Sequence, residues 1–197
     1  PSVSVLDLGT GANLVYPIIG RAEYGWRFVG TDIDPVAIQN AERLVAANPT
    51  LAGQVELRRQ ADRTALLRGI VRPGERFDLT LCNPPFHTSA AEAAAGSARK
   101  IRNLGTARAG RASLNFAGRP AELWCPGGEA GFISRLIAES ADFRSQIRWF
   151  TTLVSSRDSL PRLRRALAVV HPAEVRTIDM AQGQKRSRLI AWTFAQL

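Results

Sequence analysis

Cysteine is nearly absent: the 197 residues hold two, Cys82 and Cys125. One closes an apolar run and the other precedes Pro126, so neither a disulfide framework nor a metal site is indicated. Long apolar runs are missing too. None approaches the roughly 18 residues of a membrane-spanning helix, and no secretory signal opens the chain. These absences predict a cytoplasmic protein with no metal and no membrane partner. No internal repeat or linker interrupts the sequence, and its length suits one domain over 1–197, expected to be monomeric.

Negative charge is scarce relative to positive: 17 acidic residues against 26 basic ones give a net charge of +9. The imbalance is concentrated. Between positions 93 and 121 there is no acidic residue, while Arg99, Lys100, Arg102, Arg108, Arg111 and Arg119 all fall there. A stretch this basic suits a polyanion partner, and phosphates are the group it would meet first.

A complete dinucleotide fingerprint is also lacking. It needs Gly or Ala three positions after Gly11, and that position is Leu14. What remains is Asp7-x-Gly9-x-Gly11, preceded by a short strand over 2–8. An apolar helix start follows at Leu14, Val15, Ile18 and Ile19. A second strand over 26–31 ends in Asp32-Ile33-Asp34-Pro35. Asp34 with Pro35 reads as a helix cap, whereas Asp32, about 20 residues past the glycines, is placed to accept from ribose hydroxyls. Beyond a third strand over 55–60, the loop Ala61-Asp62-Arg63 lies at the same sheet edge, where it would border a cofactor's adenine, and 64–70 reads as a short helix.

The fourth strand, 77–82, delivers Asn83-Pro84-Pro85-Phe86 to its carboxyl end, where open α/β sheets bind their ligands. Pro supplies no ladder N–H, so the diproline stops the strand at once. The Asn83 amide and the Pro84 carbonyl offer two acceptors, and Phe86 offers a flat apolar face. Together they suit a planar group bearing an –NH2, such as adenine. From 88 to 128 the alternation lapses into an insertion too long for an ordinary strand–helix loop, read as a basic substrate loop. A helix over 129–140, a strand over 147–154, another helix with Leu160, Leu163, Leu167 and Val170 inward, and closing strands over 174–180 and 188–194 complete the chain. The predicted fold is α/β and Rossmann-like, with a seven-stranded, mostly parallel sheet. Its antiparallel terminal strand should insert next to the fifth. That is the class I methyltransferase arrangement.

Several stretches carry a resemblance to a known family. Asp-Leu-Gly-Thr-Gly-Ala-Asn (7–13) with Tyr16-Pro17-Ile18-Ile19-Gly20, Asp32-Ile33-Asp34-Pro35 and Asn83-Pro84-Pro85-Phe86-His87 resemble the bacterial 23S rRNA adenine-N6 methyltransferases, ribosomal RNA large subunit methyltransferase F. The loop 96–105, the segment 122–129 and the tail 180–192 are similar to that family as well. The resemblance implies S-adenosyl-L-methionine as cofactor, held by Asp7, Gly9, Gly11, Asn13, Asp32, Ile33, Asp62, Thr64 and Asn83. It implies catalysis at Asn83, Pro84, Pro85 and Phe86, and adenine 1618 of 23S ribosomal RNA as target. RNA contacts are expected from His87, Arg99, Lys100, Arg102, Lys185, Arg186 and Arg188. The family carries a region ahead of the first strand that this sequence does not include, so a catalytic core portion is expected. Methylation of a protein glutamine amide, or an idle methyltransferase fold that only binds RNA, are the competing readings.

Overall fold

The computed structural model describes residues 2–85, 125–182 and 185–196, except for the side chains of 181, 182, 185 and 186. Seven strands form one sheet in the order β3-β2-β1-β4-β5-β7-β6. They are β1 Ser4–Leu8, β2 Arg27–Asp32, β3 Val55–Arg59, β4 Phe77–Cys82, β5 Ile147–Val154, β6 Glu174–Gln182 and β7 Lys185–Thr193. Pairing is parallel from β3 across to β5, and β7 runs antiparallel to both of its neighbours. The predicted insertion of the last strand beside β5 is what the chain adopts.

Alternation along β1 and β2 sends side chains to two cores. Leu6, Leu8 and Val29 join Phe77, Cys82, Phe150 and Trp192 on one face. Val5, Phe28 and Val55 join Leu51 on the other, with Tyr16, Trp26, Leu79 and Leu81 packed against them. The first core is closed by helices α3 (Gly128–Ser140) and α4 (Leu160–Val170), through Ile133, Leu136, Ile137, Leu163 and Leu167. Trp192 is fully buried, stacks on Phe150 at 5.6 Å and donates its indole N–H to Ser140 Oγ at 2.9 Å. A Trp buried this deeply requires such a partner for its N–H.

Helix α2, Pro35–Ala47, starts as its sequence dictates. Asp34 Oδ1 accepts the Val36 N–H at 2.9 Å, and Pro35 occupies the first turn, where a missing N–H costs nothing. Helix α1, Val15–Tyr24, differs from the apolar helix expected. Leu14 is buried, but Val15, Ile18 and Ile19 are 40–54% exposed, and the helix instead buries Pro17 and Gly20. The reason is Gly20: a Cβ there would collide with the Phe28 ring, so α1 meets β2 by backbone approach at that turn.

Two boundaries also differ. The short helix predicted over 64–70 does not form; the segment is a series of turns. Its amides are taken by side chains instead, with the N–H groups of Leu66, Leu67 and Arg68 all donating to the Glu139 carboxylate. Gly69, at φ 80°, would also break a helix there. The closing hairpin is longer than predicted, pairing as far as Gln182 with Lys185. Polarity marked those residues as loop, but on an outer hairpin the ladder needs no apolar face to continue.

Candidate active site

At the carboxyl ends of β1, β2 and β4 a cavity of about 640 Å³ opens. Its first wall is the turn after β1. Gly9 and Gly11 have φ of 73° and 65°, and a Cβ built on either would meet no protein atom within 4 Å. Glycine is therefore needed twice over, for the positive φ and for the open space above the backbone. The N–H groups of Gly9 and Thr10 both donate to Thr31 O at 2.9 Å, which pins this turn to the end of β2.

Asp32 ends β2 and is 7% exposed. Its Oδ2 accepts the Gly11 N–H at 3.0 Å and its Oδ1 accepts the Asp34 N–H at 2.9 Å. Burial pushes its pKa up, while those backbone N–H bonds oppose the shift by favouring the charged form. Each carboxylate oxygen keeps acceptor capacity, so a ligand hydroxyl can still be bound. Asp7 lies deeper, 1% exposed. Thr10 Oγ1 donates to its Oδ2 at 2.6 Å, and its Oδ1 has no hydrogen-bond partner among the described residues. Burial raises its pKa to about 7, opposed by the Thr10 bond and helped by the charge of Asp32.

A second wall is the end of β4. Between β4 and β5 the paired register runs through Leu79 and Trp149. Past that point the Thr80 and Thr151 side chains carry the contact: Thr151 N–H donates to Thr80 Oγ1 at 2.8 Å, and Thr151 Oγ1 to Thr80 O at 2.6 Å. Asn83, Pro84 and Pro85 then line the same cavity as the glycine turn, and Asn83 is exposed. Leu8, Ile33, Leu66 and Phe132 supply apolar surface. An open glycine cradle, a carboxylate beside it and an apolar floor fit an adenosine-type ligand with a short polar tail.

The whole chain carries the same pattern. A family model described as RNA methyltransferase matches residues 1–196. The chain belongs to that family. A relative, ribosomal RNA large subunit methyltransferase F of Methylobacillus flagellatus, is 56% identical over 98% of this chain and 62% of its own length. The chain spans about three fifths of the length of the curated relatives it matches. Among solved structures, the hMettl16 catalytic domain in complex with the MAT2A 3′UTR hairpin 1 is similar over 98% of this chain and 64% of that one. Its TM-score is 0.79 and its identity 26%. The N-terminal domain of human METTL16 in complex with SAH superposes with a TM-score of 0.74 at 23% identity, over all of this chain and 63% of that one, and this likeness is one of fold. The fold is the class I S-adenosylmethionine-dependent methyltransferase fold.

Of the residues predicted for the site, Gly9, Gly11, Asp32, Ile33, Thr64, Asn83, Pro84 and Pro85 line one cavity in this family member. Asp7 sits beneath the glycine turn, outside the lining. Asn13 is exposed and outside the lining, as is Asp62, which accepts from the Thr64 N–H and hydroxyl at 2.8 and 2.7 Å. Phe86, His87, Arg99, Lys100 and Arg102 lie outside the described residues, as do the side chains of Lys185 and Arg186. Arg188, expected at an RNA surface, has a side chain only 8% exposed and pairs with Asp179 at 3.2 Å. Arg63, expected in the loop that borders the adenine, lines the cavity, and sequence reasoning missed Gln60, Cys125, Phe132 and Arg135, which line it too. Phe132 and Arg135 come from α3, some 50 residues after Asn83. The available signal was their placement on the rim of an amphipathic helix, which is shared by many residues that do nothing.

Proposed function

We propose that this chain is the catalytic core of an S-adenosylmethionine-dependent methyltransferase acting on N6 of adenine 1618 in 23S ribosomal RNA. The observation that carries the reading is that Asn83-Pro84-Pro85 lines the same cavity as Gly9, Gly11 and Asp32. The relatives' name and their similarity over 98% of the chain support the substrate class.

In this reading Gly9, Gly11 and Asp32 hold the adenosine and ribose, while Ile33, Thr64 and Leu66 flank the base. When bound, the cofactor supplies a methyl group made electrophilic by its sulfonium. The chain's own part is to prepare the amine. An exocyclic adenine –NH2 is a poor nucleophile because its lone pair is delocalised into the ring. Asn83 Oδ1 and the Pro84 carbonyl each accept one of its N–H groups, which favours a pyramidal nitrogen with the lone pair free to attack. The two prolines fix both acceptors without induced fit. Phe86 stacks on the target base, a contact worth roughly 1–3 kcal/mol, and the base must leave any stack to reach it. The methylated amine is acidic and sheds its proton to water, so no strong general base is required.

The basic run with Arg99, Lys100 and Arg102, together with His87 and with Lys185 and Arg186 of β7, is read as the RNA surface. Arg188 would join it only if its pair with Asp179 opened. A monomeric cytoplasmic enzyme organised as one domain accords with this reading. The test is incubation with methyl-labelled S-adenosylmethionine and unmodified 23S rRNA, followed by nucleoside analysis. Label in N6-methyladenosine at one position is expected. Label on ribosomal protein, or none on RNA despite measurable cofactor binding, would overturn it.

A further inference from the structure

Glu139 is in a costly place. It lies in the last turn of α3, where the helix macrodipole disfavours a carboxylate, and it is 5% exposed. What offsets both costs is a set of three consecutive backbone amides. Leu66 N–H donates to Glu139 Oε1 and Oε2 at 3.0 and 3.1 Å, Leu67 N–H to Oε2 at 2.8 Å, and Arg68 N–H to Oε2 at 3.2 Å. Successive N–H groups converging like this form an anion-binding concavity. Here the chain fills it with its own glutamate, over 70 residues away in sequence.

The same short segment walls the cavity through Arg63, Thr64, Ala65 and Leu66, and α3 contributes Phe132 and Arg135 to that wall. Arg135 adds a weaker tie, Nη1 to Arg63 O at 3.4 Å. Gln60 fastens the base of the segment, accepting Asp62 N–H and donating to Arg68 O, both at 2.9 Å. The segment has no helix of its own to keep its shape, so its position is set by these side chains.

We propose that Glu139 is a positioning residue for the cofactor site: by binding the amides of Leu66, Leu67 and Arg68 it holds the adenosine-side wall against Phe132 and Arg135. The inference rests on the cofactor reading above. Glu139→Gln keeps the side chain's shape and one acceptor oxygen but gives up the charge. If the competent wall is then formed about one tenth of the time, the dissociation constant rises about tenfold. The loss should be the same for S-adenosylmethionine and for 5′-methylthioadenosine, which carries the adenosine without the amino acid. At saturating cofactor the turnover on RNA should stay within about twofold, as expected when only uniform binding is lost. Glu139→Asp, which keeps the charge but shortens the reach, should fall between the two and serves if the Gln variant does not fold.

The control is Ser140→Ala, which removes the buried acceptor of Trp192 at the same end of the same helix and leaves the three amides paired. It should lower the melting temperature without moving the dissociation constant. Calorimetric titration of the four proteins decides. A Glu139 variant that binds like wild type, or a Ser140→Ala loss as large as that of Glu139→Gln, overturns the proposal alone. A wild type that binds no S-adenosylmethionine overturns the cofactor reading and this inference with it.

Discussion

At the scale of single residues, the proposed function gives separate tests to Asn83, Asp32 and Asp7. Asn83 stands beyond the end of β4, outside either core, so Asn83→Ala should leave the fold intact. In the proposed mechanism Asn83 accepts from the reacting amine, so its loss should cost about 10²–10³ in turnover. Single-turnover methylation at saturating S-adenosylmethionine checks it, and near-normal rates would remove Asn83 from the mechanism. Asp32→Ala should weaken cofactor binding by roughly 1.5–3 kcal/mol, the range for hydrogen bonds to a charged group, and calorimetry would show it. Asp7 makes a prediction about pH. Its carboxyl is raised by burial to about 7, so the folded protein holds a proton that the unfolded chain has released above about pH 4. Stability from this group is therefore full at low pH and is lost as pH rises through 7, by up to about 1.4 kcal/mol per pH unit. Asp7→Asn should raise the melting temperature of the ligand-free protein at pH 8 and do little at pH 4. Equal effects at both pH values would mean that the carboxyl titrates normally.

At the scale of elements, α3 is a strut with a buried glutamate at each end. Glu129 in its first turn accepts Ser155 N–H and Oγ at 2.6 and 2.5 Å, Ser156 N–H at 3.2 Å and Ser159 Oγ at 2.8 Å. It thus fastens the loop after β5 just as Glu139 fastens the loop after β3. The first-turn glutamate is on the favourable side of the helix dipole; the last-turn one is not. Removing Glu129 leaves the buried Ser159 hydroxyl without its acceptor and frees the part-buried donors of Ser155 and Ser156, so Glu129→Ala should destabilise by roughly 1–3 kcal/mol, read from denaturant midpoints. The contact of α1 with β2 is the second element-scale test. Gly20→Ala would drive a methyl into the Phe28 ring and should cost roughly 1–3 kcal/mol, which outweighs the gain in helix propensity of Ala over Gly at this buried position.

At the scale of the whole molecule, charge decides the encounter with a polyanion. The acid-free run from 93 to 121 contains six cations, and each phosphate contact to single-stranded RNA adds roughly 0.7 to the slope of log affinity against log salt. Replacing Arg99, Lys100 and Arg102 together by Ala should lower that slope by about 2, with cofactor affinity unchanged. RNA binding measured across a salt series for wild type and triple variant gives the answer, and equal slopes would place the RNA surface elsewhere.

Sequence alone determined the order of the strands and of α1 to α4, the insertion of the final strand, the cap at Asp34 and the meeting of Gly9, Gly11, Asp32 and Asn83 at one sheet edge. Each of these follows from local chemistry: an alternating apolar pattern, a proline that stops a ladder, a glycine that allows positive φ. The tertiary structure decided the rest. The 64–70 segment became turns because Glu139, far along the chain, offered its amides a better acceptor than a short helix with Gly69 in it. Val15, Ile18 and Ile19 face outward because the close approach at Gly20 sets which side of α1 meets the sheet. Phe132 and Arg135 reached the cavity through the packing of α3 on the core, and Arg188 turned to Asp179 across the β6–β7 ladder. Those outcomes depend on contacts between residues distant in sequence, and no pattern within a single segment carries that information.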